Sequence, residues 1–155
     1  IRQETEFNPG AVSCANSWGL LQLLPSVGRA MARKVGLRLF RTADLLDPVI
    51  NLELGTRYLR EMLDEFGGQP EYAFAAYNAG DYRVTAWKAD GTWHGMDEFV
   101  ESIPFTETRE YVQAILRNEA MYRALSSSSG PNAGSSGQSG NTGKDSHQVA
   151  ALPAN

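Results

Sequence analysis

The chain has 155 residues and a mass of 17.0 kDa, room for one domain and little else. Its formal charge is −4, with Lys and Arg scattered among the acids and no basic block, which argues against a nucleic-acid partner. Cys14 is the single cysteine, so no internal disulfide is available, and His94 and His147 lie far apart without companions at metal-ligand spacing, so no metal is expected.

Composition divides the chain. Residues 1–125 mix apolar, aromatic and charged residues in globular proportions, whereas residues 126–155 open with SSSSGPNAGSSGQSGNTGKDSHQ and have no aliphatic run before Val149. Such a stretch buries too little apolar surface to offset the entropy of ordering, so it is expected to be a disordered Ser/Gly-rich tail. Lys144 and Asp145 cancel there, which assigns the acidity to the domain. No apolar run is long enough to cross a membrane. The chain begins with Ile1 inside a motif rather than with Met, which reads as a piece whose N-terminal part has been lost.

In chain order, Asn8-Pro9-Gly10 is a turn, and the restriction before proline should end a helix over residues 1–6. Cys14 reads as a small, partly buried residue. Pro25 opens a helix to about Val35, with Gly36 as its stop. Asp47-Pro48 is an N-cap followed by a first-turn proline. Leu52, Leu59, Met62, Leu63 and Phe66 then recur at helical spacing until Gly67-Gly68, with Glu61, Asp64 and Glu65 on the solvated face. Pro70 starts a helix with the interior AFAAYNA and Gly80 as its stop, its alanines suiting close approach by neighbours. Asp81 is positioned to cap a short helix reaching Trp87, and Thr106 to cap a last helix with Tyr111, Ile115, Tyr122 and Leu125 as its apolar stripe. The loop DGTWHGM over 90–96 is expected to be exposed. The fold class is all-α.

No Ser/His/Asp set, Cys/His pair, phosphate loop or zinc spacing is present, which leaves carboxylate chemistry. Seventeen of the 18 acids precede residue 126, and most belong on solvated faces. Glu4, at a helix end before a turn, and Glu101, among apolar residues before a helix start, differ from the rest. Taken alone, each is better explained by a cap or a salt bridge than by catalysis. Glu6 reads as a surface residue.

Four blocks in order are more specific: RQETEFNP, GLLQLLP, AAYNAG and FVESIPFTETREYV. Together they resemble the catalytic domain of soluble lytic murein transglycosylases, within the lysozyme-like superfamily, over nearly all of residues 1–124. That resemblance implies that Glu4 is the catalytic acid and base. It implies that Ser13 and Gln22 line a sugar cleft, that Tyr77 and Asn78 lie beside the reacting sugar, and that Glu101 is a cleft glutamate. Thr5 stands where serine is usual and is taken with them as substrate-binding. Leu21 and Leu24 replace methionines common in the family, conserving volume but losing a pliable thioether. Gly19, Gly80 and Ala79 are better read as turn and close-contact residues, and Tyr77 and Gln22 also admit a purely structural reading.

The resemblance further implies cleavage of peptidoglycan between N-acetylmuramic acid and N-acetylglucosamine with a 1,6-anhydro product, no cofactor, glycan strands as partner, a monomer, and a place in the periplasm or cell envelope. A lysozyme-type hydrolase on the same scaffold and a non-catalytic peptidoglycan-binding module are the alternatives. The α-ammonium of Ile1, about one helical turn from Glu4, is expected to favour the carboxylate and lower the Glu4 pKa, making this chain less active than one with its upstream segment.

Overall fold

A computed structural model describes residues 1–128 and is helical, with isolated bridges in place of strands among those residues. The helices are α1 (Arg2–Thr5), α2 (Pro25–Lys34), α3 (Pro48–Glu65), α4 (Pro70–Ala79), α5 (Asp81–Asp90), α6 (Met96–Ser102) and α7 (Thr106–Ser128), with a 3-10 turn over Thr42–Leu46 before α3. Helix α7 therefore takes in the first three residues of the serine run, and the rest of the expected tail, with His147, lies outside the described residues. Among the described residues no helix is long and apolar enough to cross a membrane.

Local chemistry sets most boundaries. Pro25, Pro48 and Pro70 each occupy a first-turn position, where the missing N–H costs nothing. The Asp47 carboxylate accepts from the N–H groups of Val49 and Ile50, the two first-turn donors of α3 that lack a backbone partner once Pro48 supplies none. Helix α1 ends sooner than Pro9 requires, because Glu6 and Phe7 turn left-handed at φ 50° and 67°. Two capping expectations need correction. Asp81 is the first residue of α5, its side chain accepting only from its neighbour Tyr82, and Gly80 is the N-cap. Thr106 is likewise inside α7, where the Phe105 carbonyl takes the Arg109 N–H.

Helix α4 is the hub, with α3, α5 and α7 packed around it. Its four alanines 73, 75, 76 and 79 are buried, as close approach on several faces demands. One apolar cluster joins α4 to Met62, Phe66, Val84, Phe99, Ile103 and Val112; a second holds Leu23, Met31, Ala32, Leu45 and Leu54, and Tyr58 packs against both. The face α3 buries is Asn51, Leu54, Gly55 and Met62, whereas Leu52 and Leu59 are only partly buried. On α7 the buried residues are Thr108 and Val112, while Tyr122 and Leu125, expected in the stripe, are exposed. Trp93 also departs from its exposed-loop reading: its Nε1 donates to the Tyr72 hydroxyl at 2.9 Å and its ring lies 5.2 Å from that of Phe99. Cys14 is exposed, not partly buried.

The segment between α1 and α2 is irregular and pinned from a distance. Trp18 bridges to Val12 and to Leu23. Asn51, fully buried on α3, accepts from the Leu21 N–H at 2.8 Å and donates to the carbonyls of Trp18 and Leu45 at 2.9 Å each. Gly19 sits at φ 72° where a Cβ would run into the Leu45 carbonyl and Asn51, so only glycine lets the loop approach α3 this closely.

Candidate functional site

The helices leave a cleft of about 850 Å³ between the α1–α2 segment and the α4–α5–α7 side. It is lined by Glu4, Ser13, Gln22, Tyr77 and Asn78, five of the seven residues singled out above. Thr5 and Glu101 are elsewhere. The Thr5 hydroxyl points at the carbonyls of Leu20 (3.2 Å) and Ile1 (3.3 Å), tying α1 to the pinned loop. Glu101 is exposed on α6 and accepts from Gln113 at 2.9 Å. Leu24 borders the cleft, but Leu21 packs against Gly55 on the far side.

Glu4 is the third of the four residues of α1, half-buried, with its Oε1 accepting from the Tyr111 hydroxyl at 2.5 Å. Burial raises its pKa above the ordinary glutamate value, because a desolvated carboxylate is disfavoured. The Tyr111 hydrogen bond and the Ile1 ammonium pull it down, and the Glu107 carboxylate pushes it up. The sign expected for the Ile1 ammonium is thus present, but desolvation outweighs it. Burial and the charge of Glu4 hold the Tyr111 and Tyr77 phenols neutral, their pKa values pushed well up.

The other lining groups are held by their own hydrogen bonds, which fixes what each can offer. Both Gln22 amide hydrogens go to backbone carbonyls, Gly19 at 2.9 Å and Ala11 at 3.3 Å, leaving its Oε1 as an acceptor. Gln22 holds φ 46°, a left-handed conformation uncommon for non-glycine residues and a frequent mark of functional loops. Asn78 accepts from the Thr108 hydroxyl at 2.7 Å, which turns its NH₂ donor to the cleft. The Ser13 oxygen accepts from the Ser17 N–H at 3.1 Å. The Tyr77 hydroxyl donates to the Leu21 carbonyl at 2.8 Å, and its ring packs tilted against that of Tyr58 with centroids 5.1 Å apart, so it shapes the wall.

Sequence reasoning placed Tyr111 in an apolar stripe and missed it as the partner of Glu4. The signal lay in ETREYV, where a tyrosine follows a charged run inside the fourth block. Glu107 and Glu110, from the same run, also line the cleft.

Comparisons with known proteins bear on the family and the fold. Residues 1–100 match the family model described as "Transglycosylase SLT domain", and residues 102–130 match "Soluble lytic transglycosylase helical domain". The soluble lytic murein transglycosylase of Salmonella typhimurium is 38% identical over 124 residues, 79% of this chain and 19% of that protein. An inactive glutamate-to-glutamine mutant of the lytic transglycosylase Slt from Pseudomonas aeruginosa superposes with a TM-score of 0.76 at 38% identity, covering 84% of this chain and 21% of that one. The 70-kDa soluble lytic transglycosylase of Escherichia coli gives a TM-score of 0.74 at 36% identity, over 81% and 21%. This chain therefore spans about a fifth of the length of these relatives. With more than half of its residues inside the first match, the chain belongs to the transglycosylase SLT domain family.

Proposed function

We propose that this chain cleaves peptidoglycan glycan strands between N-acetylmuramic acid and N-acetylglucosamine as a lytic transglycosylase, in the cell envelope, with Glu4 as general acid and then general base. The observation that carries this reading is the Glu4 carboxyl: desolvated, with a raised pKa, yet opening on the cleft. A raised pKa keeps a larger share of the side chain protonated near neutral pH, as an acid catalyst needs.

Glu4 protonates the glycosidic oxygen and the C1–O bond breaks. The Glu4 carboxylate then takes the proton from the C6 hydroxyl of the same muramic acid, whose oxygen closes on C1 to give the 1,6-anhydro ring. Intramolecular attack supplies the proximity that a hydrolase obtains from a second carboxylate and a bound water. Tyr111 donates to the carboxylate and so stabilises it in the second half of the cycle. The Asn78 amide N–H and the Gln22 Oε1 are the directed partners for acetamido groups of the sugars, while Tyr77 acts through the Leu21 carbonyl and the shape of the wall.

One observation favours a second reading. Glu107 and Glu110 line the same cleft, and the Glu107 charge helps to raise the Glu4 pKa, which supports a paired-carboxylate hydrolase. Mass analysis of muropeptides released from purified sacculi separates the two: anhydro ends are lighter than reducing ends by one water. Anhydro products are expected, and Glu4→Gln should lower their release by about 10³-fold. Reducing ends alone would establish the hydrolase instead.

A further inference from the structure

Among the described residues, Asn51 and Thr108 are the polar side chains that the fold buries. Asn51 holds backbone, whereas Thr108 holds a side chain of the cleft. A threonine inside a helix commonly spends its hydroxyl on the carbonyl one turn back. Thr56 on α3 does so, donating to the Leu52 carbonyl at 2.6 Å. Thr108, 2% exposed, instead sends its hydroxyl from α7 across to α4, where it donates to the Asn78 Oδ1 at 2.7 Å. Asn78 itself is exposed and lines the cleft.

The contact decides which face of an amide the cleft presents. A carboxamide carries an acceptor and two donors on one planar group, and a half turn about its last bond exchanges them. Without a partner, an exposed asparagine offers either face. The Thr108 hydroxyl, restricted by its β-branch and by burial, takes the oxygen and leaves the NH₂ for a ligand. That donor fits the carbonyl of a 2-acetamido group. It does not fit a free 2-amino group, which is protonated in mild acid and carries donors only. We propose that Thr108 is a positioning residue which, without meeting substrate, sets a preference of the cleft for N-acetylated over N-deacetylated amino sugars. The inference rests on the glycan-cleaving reading given above. Charge alone predicts the opposite order, because the carboxylates of Glu107 and Glu110 line the cleft and attract an ammonium. The two explanations are therefore separable.

The test is calorimetric binding without turnover, in the Glu4→Gln background, of N-acetylglucosamine oligomers and of glucosamine oligomers of equal length in mildly acidic buffer. With Thr108 intact, the acetylated oligomer should bind about tenfold more tightly. Thr108→Val keeps the volume and the β-branch but lacks the donor, so the ratio should fall to within about twofold of one. Thr108→Ser keeps the hydroxyl and should keep the preference. Asn78→Ala, a change at an exposed position, should collapse the ratio equally, and adding Thr108→Val to it should change nothing further. That variant reports on the contact even if Thr108→Val fails to fold. An unchanged ratio in either single variant, or a chain with Thr108 intact that favours the glucosamine oligomer, would overturn the assignment. Failure of the Glu4→Gln chain to bind the acetylated oligomer at all would overturn the glycan-cleft reading itself.

Discussion

The polar cleft in front of Glu4 and the apolar groove behind it share four side chains, Gln3, Glu4, Tyr77 and Tyr111, and little else. In front stand Ser13, Gln22 and Asn78, each with one hydrogen-bonding group already committed and another turned outward. Behind, a groove of about 620 Å³ is bordered by Leu21, Leu59, Phe74, Ile115 and Tyr122. Glu4 thus stands between polar groups on one side and a mainly apolar groove, with Arg2, Asn118, Glu119 and Arg123 among its lining, on the other. Burial raises the pKa of its carboxyl, and in the proposed function the front side is where the proton would pass to substrate. Neither side alone would make an acid catalyst, since a carboxyl open on both sides ionises early and one closed on both sides reaches no glycan.

The comparison can be broken at its front, at its wall and at its back. The largest effect is expected at Asn51, which anchors the front loop without touching the cleft. Asn51→Ala strands the Leu21 N–H and the carbonyls of Trp18 and Leu45, so stability should fall by about 3 kcal/mol in chemical denaturation, with activity lost as the loop detaches. In the wall, Tyr111→Phe removes a donor that favours the Glu4 carboxylate. The Glu4 pKa should rise further and the alkaline limb of the kcat/KM profile should move to higher pH, with the rate falling about tenfold as the carboxyl loses its orientation. A limb moving down would show that the hydrogen bond favours the acid form. At the back, Leu59→Asn brings a polar group to the groove. Relieving desolvation lowers the Glu4 pKa, so the limb should move to lower pH with a loss of a few-fold near neutrality.

Stability carries the same signature. A carboxyl whose folded pKa is raised contributes stability that is full below its unfolded pKa and is lost as pH rises through the folded one. Glu4→Gln should therefore melt higher than the unmutated chain at about pH 8 and lose that advantage near about pH 4. A Tm difference independent of pH would mean that the carboxylate is not destabilised by burial.

What the sequence made legible is local. Pro25, Asp47-Pro48, Pro70, Gly67-Gly68 and Gly80 punctuate the chain through chemistry that acts over a few residues, and the helices start and stop there. The lining roles of Ser13, Gln22, Tyr77 and Asn78 came through block resemblance, and the cleft brings them together with Glu4. The failures are long-range. Asn51 drew no notice in the sequence, because its three partners lie 6 to 33 residues away. Tyr111 meets Glu4 across 107 residues, and no periodicity within α7 distinguishes a tyrosine facing a carboxyl from one facing the core. Trp93 lies in the expected loop between Gly91 and Gly95, but its indole is not exposed as expected and turns back onto Tyr72 and Phe99. Thr5 and Glu101 sit inside matched blocks but outside the cleft lining, and their side chains hold α1 to the Leu20 carbonyl and Glu101 to Gln113.

The claim that hydrocarbon behind Glu4 raises its pKa has a direct measurement, the pH titration of the Glu4 carboxyl carbon by ¹³C NMR, with the signal assigned by its absence from Glu4→Gln. The account predicts an inflection above the ordinary glutamate value of about 4.3, moving up in Tyr111→Phe and down in Leu59→Asn. An inflection at or below that value in the unmutated chain would contradict it.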